Sequence, residues 1–153
     1  MTTTFQELVH ETISNIERLE SRSRSRSAKA QISFNHAVET TLIDLWKATY
    51  CIPIRECAIN KRAGYYSENP RYRDPFLTYN QSIAAFDGLR SLGYIEVTKE
   101  GYFDRTTLQG SLTKFVARDE LLERLQKIED HPALAIKPDF DRESIILRDV
   151  VDG

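Results

Sequence analysis

The side chains with the most specific chemistry in this sequence are two neighbouring amides, Asn80 and Gln81. An amide carries a donor and an acceptor at fixed spacing, which suits the N6 and N7 edge of adenine. Helical periodicity places Ala84, Gly88 and Ser91 on the same face as these amides. Small residues let a helix backbone come close to a groove in DNA, but they also suit close packing against a protein surface. The face therefore predicts base-edge recognition or tight protein packing, and the docking of helices in DNA grooves favours the first.

Basic and hydroxyl side chains lie on both sides of this face and could contact phosphates. Upstream are Arg71 and Arg73, with a tyrosine between them. Downstream is a polar, glycine-containing segment whose candidate residues are Arg105, Thr106, Thr107, Gln109 and Lys114. Contacts of this kind set the position of a protein on DNA without reading the sequence.

A third basic segment is the alternating Ser/Arg stretch at residues 21–27, which contains Arg22, Arg24 and Arg26. It lacks apolar residues, so one interpretation is a flexible linker. The other is a basic arm that follows DNA phosphates or enters a minor groove. The sequence leaves both interpretations open.

A helix and a hairpin are predicted to position the amides and the downstream segment. Thr78 is suited to cap a helix that ends at Leu92 and Gly93. Two β-prone segments follow, 94–98 and 112–118, with the polar segment between them. The predicted unit is therefore a helix, a glycine turn and a hairpin with a basic tip.

The upstream elements are predicted from capping and periodicity. Thr4 and Glu7 fit a capping box for an amphipathic helix over residues 5–20, whose apolar stripe packs on the domain or pairs with a second copy in a homodimer. Ser33 or Asn35 is expected to cap a helix that runs to about residue 50, with Trp46 in the core. A short strand over 52–54 and a helix over 55–63 are expected next.

The remaining segments are less regular. Residues 65–77 contain two prolines and predict a turn-rich connection. A short acidic helix is expected over 119–130, and a final strand over 144–147.

The succession of helix, glycine turn and hairpin resembles the winged helix-turn-helix superfamily, particularly at residues 89–99, LRSLGYIEVTK. The resemblance implies an α+β fold with an N-terminal amphipathic helix (1–20), a basic linker (21–32), a winged-helix domain (33–118) and an acidic C-terminal helix and strand extension (119–153). It also implies sequence-specific binding of double-stranded DNA through the helix and the wing, as in transcription regulation. The wing, the following helix and the segment IILRD at 145–149 together resemble replication-initiator-like winged-helix proteins of bacterial plasmids and phages. The alternative is a winged-helix module that binds a protein and not DNA.

Charge is distributed unevenly along the chain. The net charge of −2 comprises −3 in residues 1–20, +6 in residues 21–118 and −5 in residues 119–153. A basic module between acidic ends is typical of a protein that contacts the phosphate backbone. It is also compatible with an ordinary solvated surface.

No residue set in the sequence predicts catalysis, a metal or a cofactor. The three histidines are scattered, and Cys51 and Cys57 are separated by five intervening residues in place of the two to four of a zinc knuckle. We expect two buried or half-buried thiols. Without a membrane-spanning run or a signal peptide, a cytoplasmic protein is expected that is not an enzyme and does not contact membranes.

Overall fold

The computed structural model of the chain describes residues 4–20, 26–59, 78–107 and 109–128. Within these residues the fold is α+β, with four helices and a small three-stranded antiparallel sheet. The elements in chain order are α1 (Phe5–Glu20), α2 (Ala28–Thr49), β1 (Cys57–Ile59), α3 (Tyr79–Ser91), β2 (Ile95–Lys99), β3 (Tyr102–Asp104), β4 (Gln109–Ser111), β5 (Thr113–Ala117) and α4 (Asp119–Gln126). The strand order of the sheet is β1-β5-β2, and β3 pairs with β4 in a separate hairpin.

Helix α1 has the predicted bounds and its apolar stripe lies in the core of its own chain. The Glu7 backbone N–H donates to Thr4 Oγ1 at 3.1 Å, which confirms Thr4 as the cap. Five residues of the stripe are fully or almost fully buried: Phe5, Leu8, Val9, Ile13 and Ile16. Leu19, which the periodicity also places on the stripe, is exposed at the end of the helix. Because the stripe is used inside the protomer, the alternative of packing on the domain is confirmed. The stripe is not available for a homodimer without unpacking the core.

Helix α2 begins earlier than predicted. Its cap is Ser27, whose hydroxyl accepts from the Ala30 backbone N–H at 3.1 Å. The predicted cap Ser33 is instead a buried residue within the helix, and its hydroxyl accepts from the Thr78 N–H at 3.0 Å. The expected linker therefore ends before residue 28. Trp46 lies in the core as predicted, with 1% of its surface exposed.

Strand β1 occupies a region where a different structure was expected. The predicted strand over 52–54 and the start of the predicted helix at 55 are both wrong, because the strand is Cys57–Ile59. It pairs antiparallel with β5, with Cys57 opposite Phe115 and Ile59 opposite Thr113. All three β1 residues are buried, so pairing and burial stabilise this short strand.

Helix α3, the glycine turn and the strands β2 and β5 follow the prediction, but the polar segment expected as a loop between those strands contains the additional strands β3 and β4. Thr78 caps α3, and Gly93 has a φ of 76°, a left-handed conformation that glycine adopts without a steric penalty. The Tyr94 N–H donates to the Leu89 carbonyl at 3.0 Å and closes the turn into β2. Strand β5 lies between β1 and β2, and the Phe86 ring meets the Phe115 ring edge-on at 5.1 Å between centroids. These contacts fix α3 against the sheet.

Helix α4 starts where it was predicted but is shorter. It ends at Gln126, and Leu121 and Leu125 are buried on its inner face. The predictions for residues 65–77 and 144–147 lie outside the described residues. None of the helices that the structure describes is long and apolar enough to span a membrane.

Candidate functional site

The first turn of α3 is held in place by hydrogen bonds to α2. Thr78 Oγ1 accepts from the Gln81 N–H at 3.4 Å, and the Thr78 N–H donates to Ser33 Oγ at 3.0 Å. Ser33 is buried, so this polar pair lies where α2 and α3 meet. The position of the candidate amides is therefore determined by the α2–α3 contact as well as by the capping of α3 itself.

The exposed face of α3 is rotated relative to the predicted face. Ser82, Ala85, Phe86 and Leu89 are buried. The exposed residues are Asn80, Asp87, Arg90 and Ser91, and the half-buried ones are Gln81, Ile83, Ala84 and Gly88. The helix therefore presents a strip that runs through Asn80, Asp87 and Ser91. Helical periodicity placed Gly88 on the outer face of α3, and that placement is wrong.

Gly88 faces helix α1 and not an open groove. A Cβ atom built on Gly88 would lie 2.5 Å from Ile16 Cγ2 and 3.0 Å from Ile16 Cδ1. Ile16 is 1% exposed, so this contact belongs to the core. Close packing, the other interpretation offered by the small residues, accounts for Gly88. Ala84 also packs partly against the core.

Gln81 is engaged by Arg26, which joins three helices. Arg26 Nε donates to Gln81 Oε1 at 2.9 Å, and its two terminal nitrogens contact the Glu20 carboxylate at 2.9 and 2.7 Å. Glu17 lies 3.7 Å from Arg26 Nη1, and the guanidinium lies over the Phe34 ring at 3.7 Å from its centroid. We call this group the Arg26 cluster.

The Arg26 cluster excludes Arg26 from the proposed basic arm. Its side chain is only 1% exposed and forms charge-assisted hydrogen bonds to α1 and α3. An arginine that contacts DNA phosphates needs an accessible guanidinium. The prediction is therefore wrong for Arg26, whereas Arg22 and Arg24 lie outside the described residues.

Two charged residues exposed on α3 were not among the predicted contacts. Arg90 Nη2 lies 3.2 Å from Glu100 Oε1 in an exposed ion pair that connects α3 to the end of β2. Asp87 is exposed between Asn80 and Ser91 along the strip. Helical periodicity alone places Asp87 on the same face as Asn80 and Ser91, so the sequence could have identified it. The exposure of Arg90 depends on packing that periodicity does not contain.

The tip of the β3–β4 hairpin is organised by Asp104. Its Oδ1 accepts from the backbone N–H groups of Thr106 at 2.8 Å and Thr107 at 3.4 Å. These two bonds lower the pKa of Asp104 below its ordinary value because they stabilise the carboxylate. The tip is therefore a small ordered turn, with Arg105, Thr106 and Thr107 all exposed.

The base of the hairpin is tied to the sheet. The Gly101 N–H donates to Thr113 Oγ1 at 3.0 Å, and Thr113 is buried at the start of β5. The register of β2 against β5 shifts between Val97 and Lys99, which marks an irregularity where the hairpin leaves the sheet. Lys114 is half-buried on β5, opposite Lys99 in the β2–β5 register.

Three predicted residues remain, and only Gln109 lies in the part of the chain that the structure describes. Gln109 is the first residue of β4. Arg71 and Arg73 lie outside the described residues. The structure thus brings Asn80 and Ser91 onto one exposed strip, arranges Arg105, Thr106 and Thr107 on one turn, and directs Gln81 and Gly88 toward α1 and its flanking residues.

The described part of the chain contains no group of three or more metal-binding side chains. Cys57 is buried and Cys51 is half-buried, as predicted for structural thiols. Comparison with known proteins identified no matching family model, no matching curated protein and no matching solved structure.

Proposed function

We propose that this chain is a winged helix-turn-helix protein that binds double-stranded DNA through α3 and the β3–β4 hairpin. Its proposed role is regulation of transcription, or initiation of replication on a bacterial mobile element, in the cytoplasm. The observation that carries the proposal is the arrangement of these elements. Helix α3 is followed by a glycine turn and β2, and the hairpin extends from the sheet between β2 and β5.

The exposed strip of α3 has the chemistry for contacts with base edges. Asn80 lies in the first turn, the part of such a helix that reaches bases in helix-turn-helix proteins. Its amide suits adenine, the Asp87 carboxylate can accept from cytosine N4, and Ser91 can donate or accept. This set replaces the predicted base-reading set, because Gln81 and Gly88 are engaged inside the protein.

The hairpin supplies a contact to the backbone of DNA. Arg105 is exposed on a turn whose geometry is fixed by the Asp104 carboxylate. Thr106 and Thr107 are exposed beside it, and their hydroxyls, which hydrogen-bond to the Asp104 carboxylate in the free chain, would exchange that partner for a phosphate oxygen. A preorganised turn reduces the conformational entropy that binding would otherwise cost.

The test is fluorescence anisotropy with a labelled random-sequence duplex, followed by selection of a preferred site. For the wild-type chain we expect binding that weakens as salt rises. Arg105→Ala should weaken binding to all sequences alike and reduce the salt slope by about 1. Asn80→Ala should relax discrimination among sites by about 1–3 kcal/mol.

A matched control variant is Lys127→Ala, which removes an exposed cation at the end of α4, an element that has no part in the proposal. It should bind DNA like the wild-type chain. The proposal is refuted if no binding occurs at low salt, or if Lys127→Ala weakens binding as much as Arg105→Ala does.

One observation favours the second candidate, a module that binds a protein. The exposed charges of α3, β2 and the hairpin tip are nearly balanced: the acidic residues are Asp87, Glu96, Glu100 and Asp104, and the basic ones are Arg90, Lys99 and Arg105. A surface of mixed charge attracts phosphates less than a basic one. A protein-binding module would not bind the random-sequence duplex even at low salt, so the anisotropy titration separates the two candidates.

A further inference from the structure

A loop with an exposed apolar tip follows helix α2. The backbone N–H groups of Cys51 and Arg55 both donate to the Ala48 carbonyl at 3.2 Å, which closes the loop at its base. Ile52, at the tip, is 99% exposed. A large aliphatic side chain that is fully exposed is unfavourable in free energy, because burying its apolar surface away from water would stabilise the protein.

The loop is held firmly at its base. Arg55 Nη2 lies 3.0 Å from Asp44 Oδ1, and the Asp44 side chain is fully buried. Burial, the largest single influence, would lower the pKa of Arg55. The charges of Asp44 and Cys57 and the hydrogen bonds to Asp44 and Cys51 together outweigh burial, so the pKa is raised. The ion pair fixes the base of the loop on α2.

A cleft lies beside the loop. Its volume is about 180 Å³, and its lining is mostly apolar. The lining residues are Leu45, Ala48, Thr49, Ile54, Arg55, Val116, Ala117 and Leu122. A dry apolar cavity of about 150 Å³ accommodates a benzene ring. The cleft is therefore large enough for the branched side chain of one isoleucine.

The exposed side chain and the cleft are close to each other in the same chain. Ile54 and Arg55 line the cleft. Ile52 is two residues before Ile54, so the Cα atoms of Ile52 and Ile54 lie within about 8 Å of each other. A projecting group beside a matching cleft on one surface is the requirement for an isologous contact, in which each copy gives and receives the same group.

We propose that this surface forms a two-fold homodimer in which Ile52 of each protomer occupies the cleft of the other, between Ala48 of α2 and Ala117 of β5. The half-exposed side chains of Tyr50 and Ile54 form its rim. The proposal does not depend on DNA binding, because it concerns the protein alone. It replaces the predicted dimer through α1, whose apolar stripe is buried in its own core.

The expected affinity follows from the size of the surface. Three exposed apolar side chains and one cleft provide less than the ~800 Å² per partner of a standard stable interface. We therefore expect a weak dimer, with a Kd on the order of 10–100 μM. Sedimentation equilibrium of the full chain over a range of concentrations measures it directly.

Two variants and one control test the contact. Ile52→Asp places a charge on the projecting group and should raise the Kd at least about tenfold. Ala117→Leu should have the same effect, because it fills the cleft without changing Ile52. The control is Ile32→Asp, at an aliphatic side chain on α2 that is 58% exposed, and it should leave the Kd unchanged.

A mixture of the two variants tests the pairing of group and cleft. A mixed dimer retains one native contact, because Ile52 of the Ala117→Leu chain meets the native cleft of the Ile52→Asp chain. The mixture should therefore associate more tightly than either variant alone. A chain that is monomeric at concentrations about tenfold above the expected Kd overturns the proposal. Dimerisation that Ile52→Asp leaves unchanged, or a mixture no tighter than its components, also overturns it.

Discussion

Replacing Gly88 with alanine tests whether α1 packs on α3 as the structure describes. At an exposed helix position the substitution would stabilise the protein by about 1 kcal/mol, because alanine is the better helix former. At this position the new Cβ atom would lie 2.5 Å from Ile16 Cγ2. The helix propensity gain and the steric cost therefore have opposite signs.

The steric cost is the larger of the two effects. Ile16 is buried, and β-branched side chains in helices have essentially one χ1 rotamer, so the Cγ2 methyl cannot rotate away. Overpacking of this kind costs about 1–3 kcal/mol. Subtracting the propensity gain of about 1 kcal/mol leaves a net destabilisation of about 1 kcal/mol, with a range of about 0–2 kcal/mol.

Chemical denaturation of the wild-type chain, Gly88→Ala, Ile16→Ala and the double variant measures the coupling energy between Gly88 and Ile16. Ile16→Ala alone should cost about 2–5 kcal/mol through the cavity that it leaves. In the Gly88→Ala background it should cost less, because it removes the methyl that clashes and the new Cβ fills part of the cavity. Asp87→Ala, at an exposed position of the same helix, serves as the control for propensity and should stabilise slightly. A stabilising Gly88→Ala, with no coupling to Ile16→Ala, would refute the packing of α1 on Gly88.

Four further perturbations test the polar contacts and the turns. Arg26→Gln should lower the free energy of unfolding by about 2 kcal/mol, less than for a fully buried pair, because its two carboxylate partners on α1 reach solvent. Arg55→Met leaves the carboxylate of Asp44 in the core without its cation and should cost about 3–5 kcal/mol in chemical denaturation, whereas the double variant Asp44→Asn/Arg55→Gln should recover most of this loss. Gly93→Ala forces a side chain into a left-handed conformation and should cost about 1–2 kcal/mol in thermal unfolding. An NMR titration of Asp104 should give a pKa below the ordinary value of an aspartate. Its hydrogen bonds therefore stabilise the hairpin turn fully at pH values above the ordinary pKa, and this stabilisation is lost as the pH falls through the lowered pKa.

Local signals in the sequence were enough to predict the helix ends, which depend on residues close to one another along the chain. Thr4 and Thr78 are both capping residues in the structure, and Gly93 ends α3 in a left-handed turn. Each signal requires only neighbours within a few residues along the chain. The bounds of α1 and α3 follow directly from such contacts.

Elements that depend on distant partners were not predictable in the same way. Strand β1 has three residues and no measurable periodicity, and it exists because β5 pairs with it. Ser33 resembles a cap in sequence, but its hydroxyl bonds to Thr78, and Ser27 caps α2. In both cases tertiary contacts determine which of several local possibilities forms.

In the candidate site, too, local sequence signals predicted part of the arrangement and tertiary contacts determined the rest. A helical wheel separated the two sides of α3 but misplaced the boundary, because α1 covers Gly88 and leaves Arg90 exposed. The basic stretch before α2 suggested an arm, yet Arg26 is buried among carboxylates. Sequence indicates which residues have the chemistry, and packing decides which of them solvent can reach.

The excess positive charge of residues 21–118 is therefore a poor measure of the field outside the protein. Of its cations, Arg26, Arg55 and Arg90 are paired with carboxylates of the same chain. Near the candidate interface, Arg105 and Lys99 remain as exposed cations outside those three pairs. If these two supplied the phosphate contacts, the slope of log K against log salt would be about −2. A much steeper slope would require further cations, either described ones such as Lys114 and Arg118 or ones outside the described residues. Absence of DNA binding at low salt would favour the protein-binding alternative.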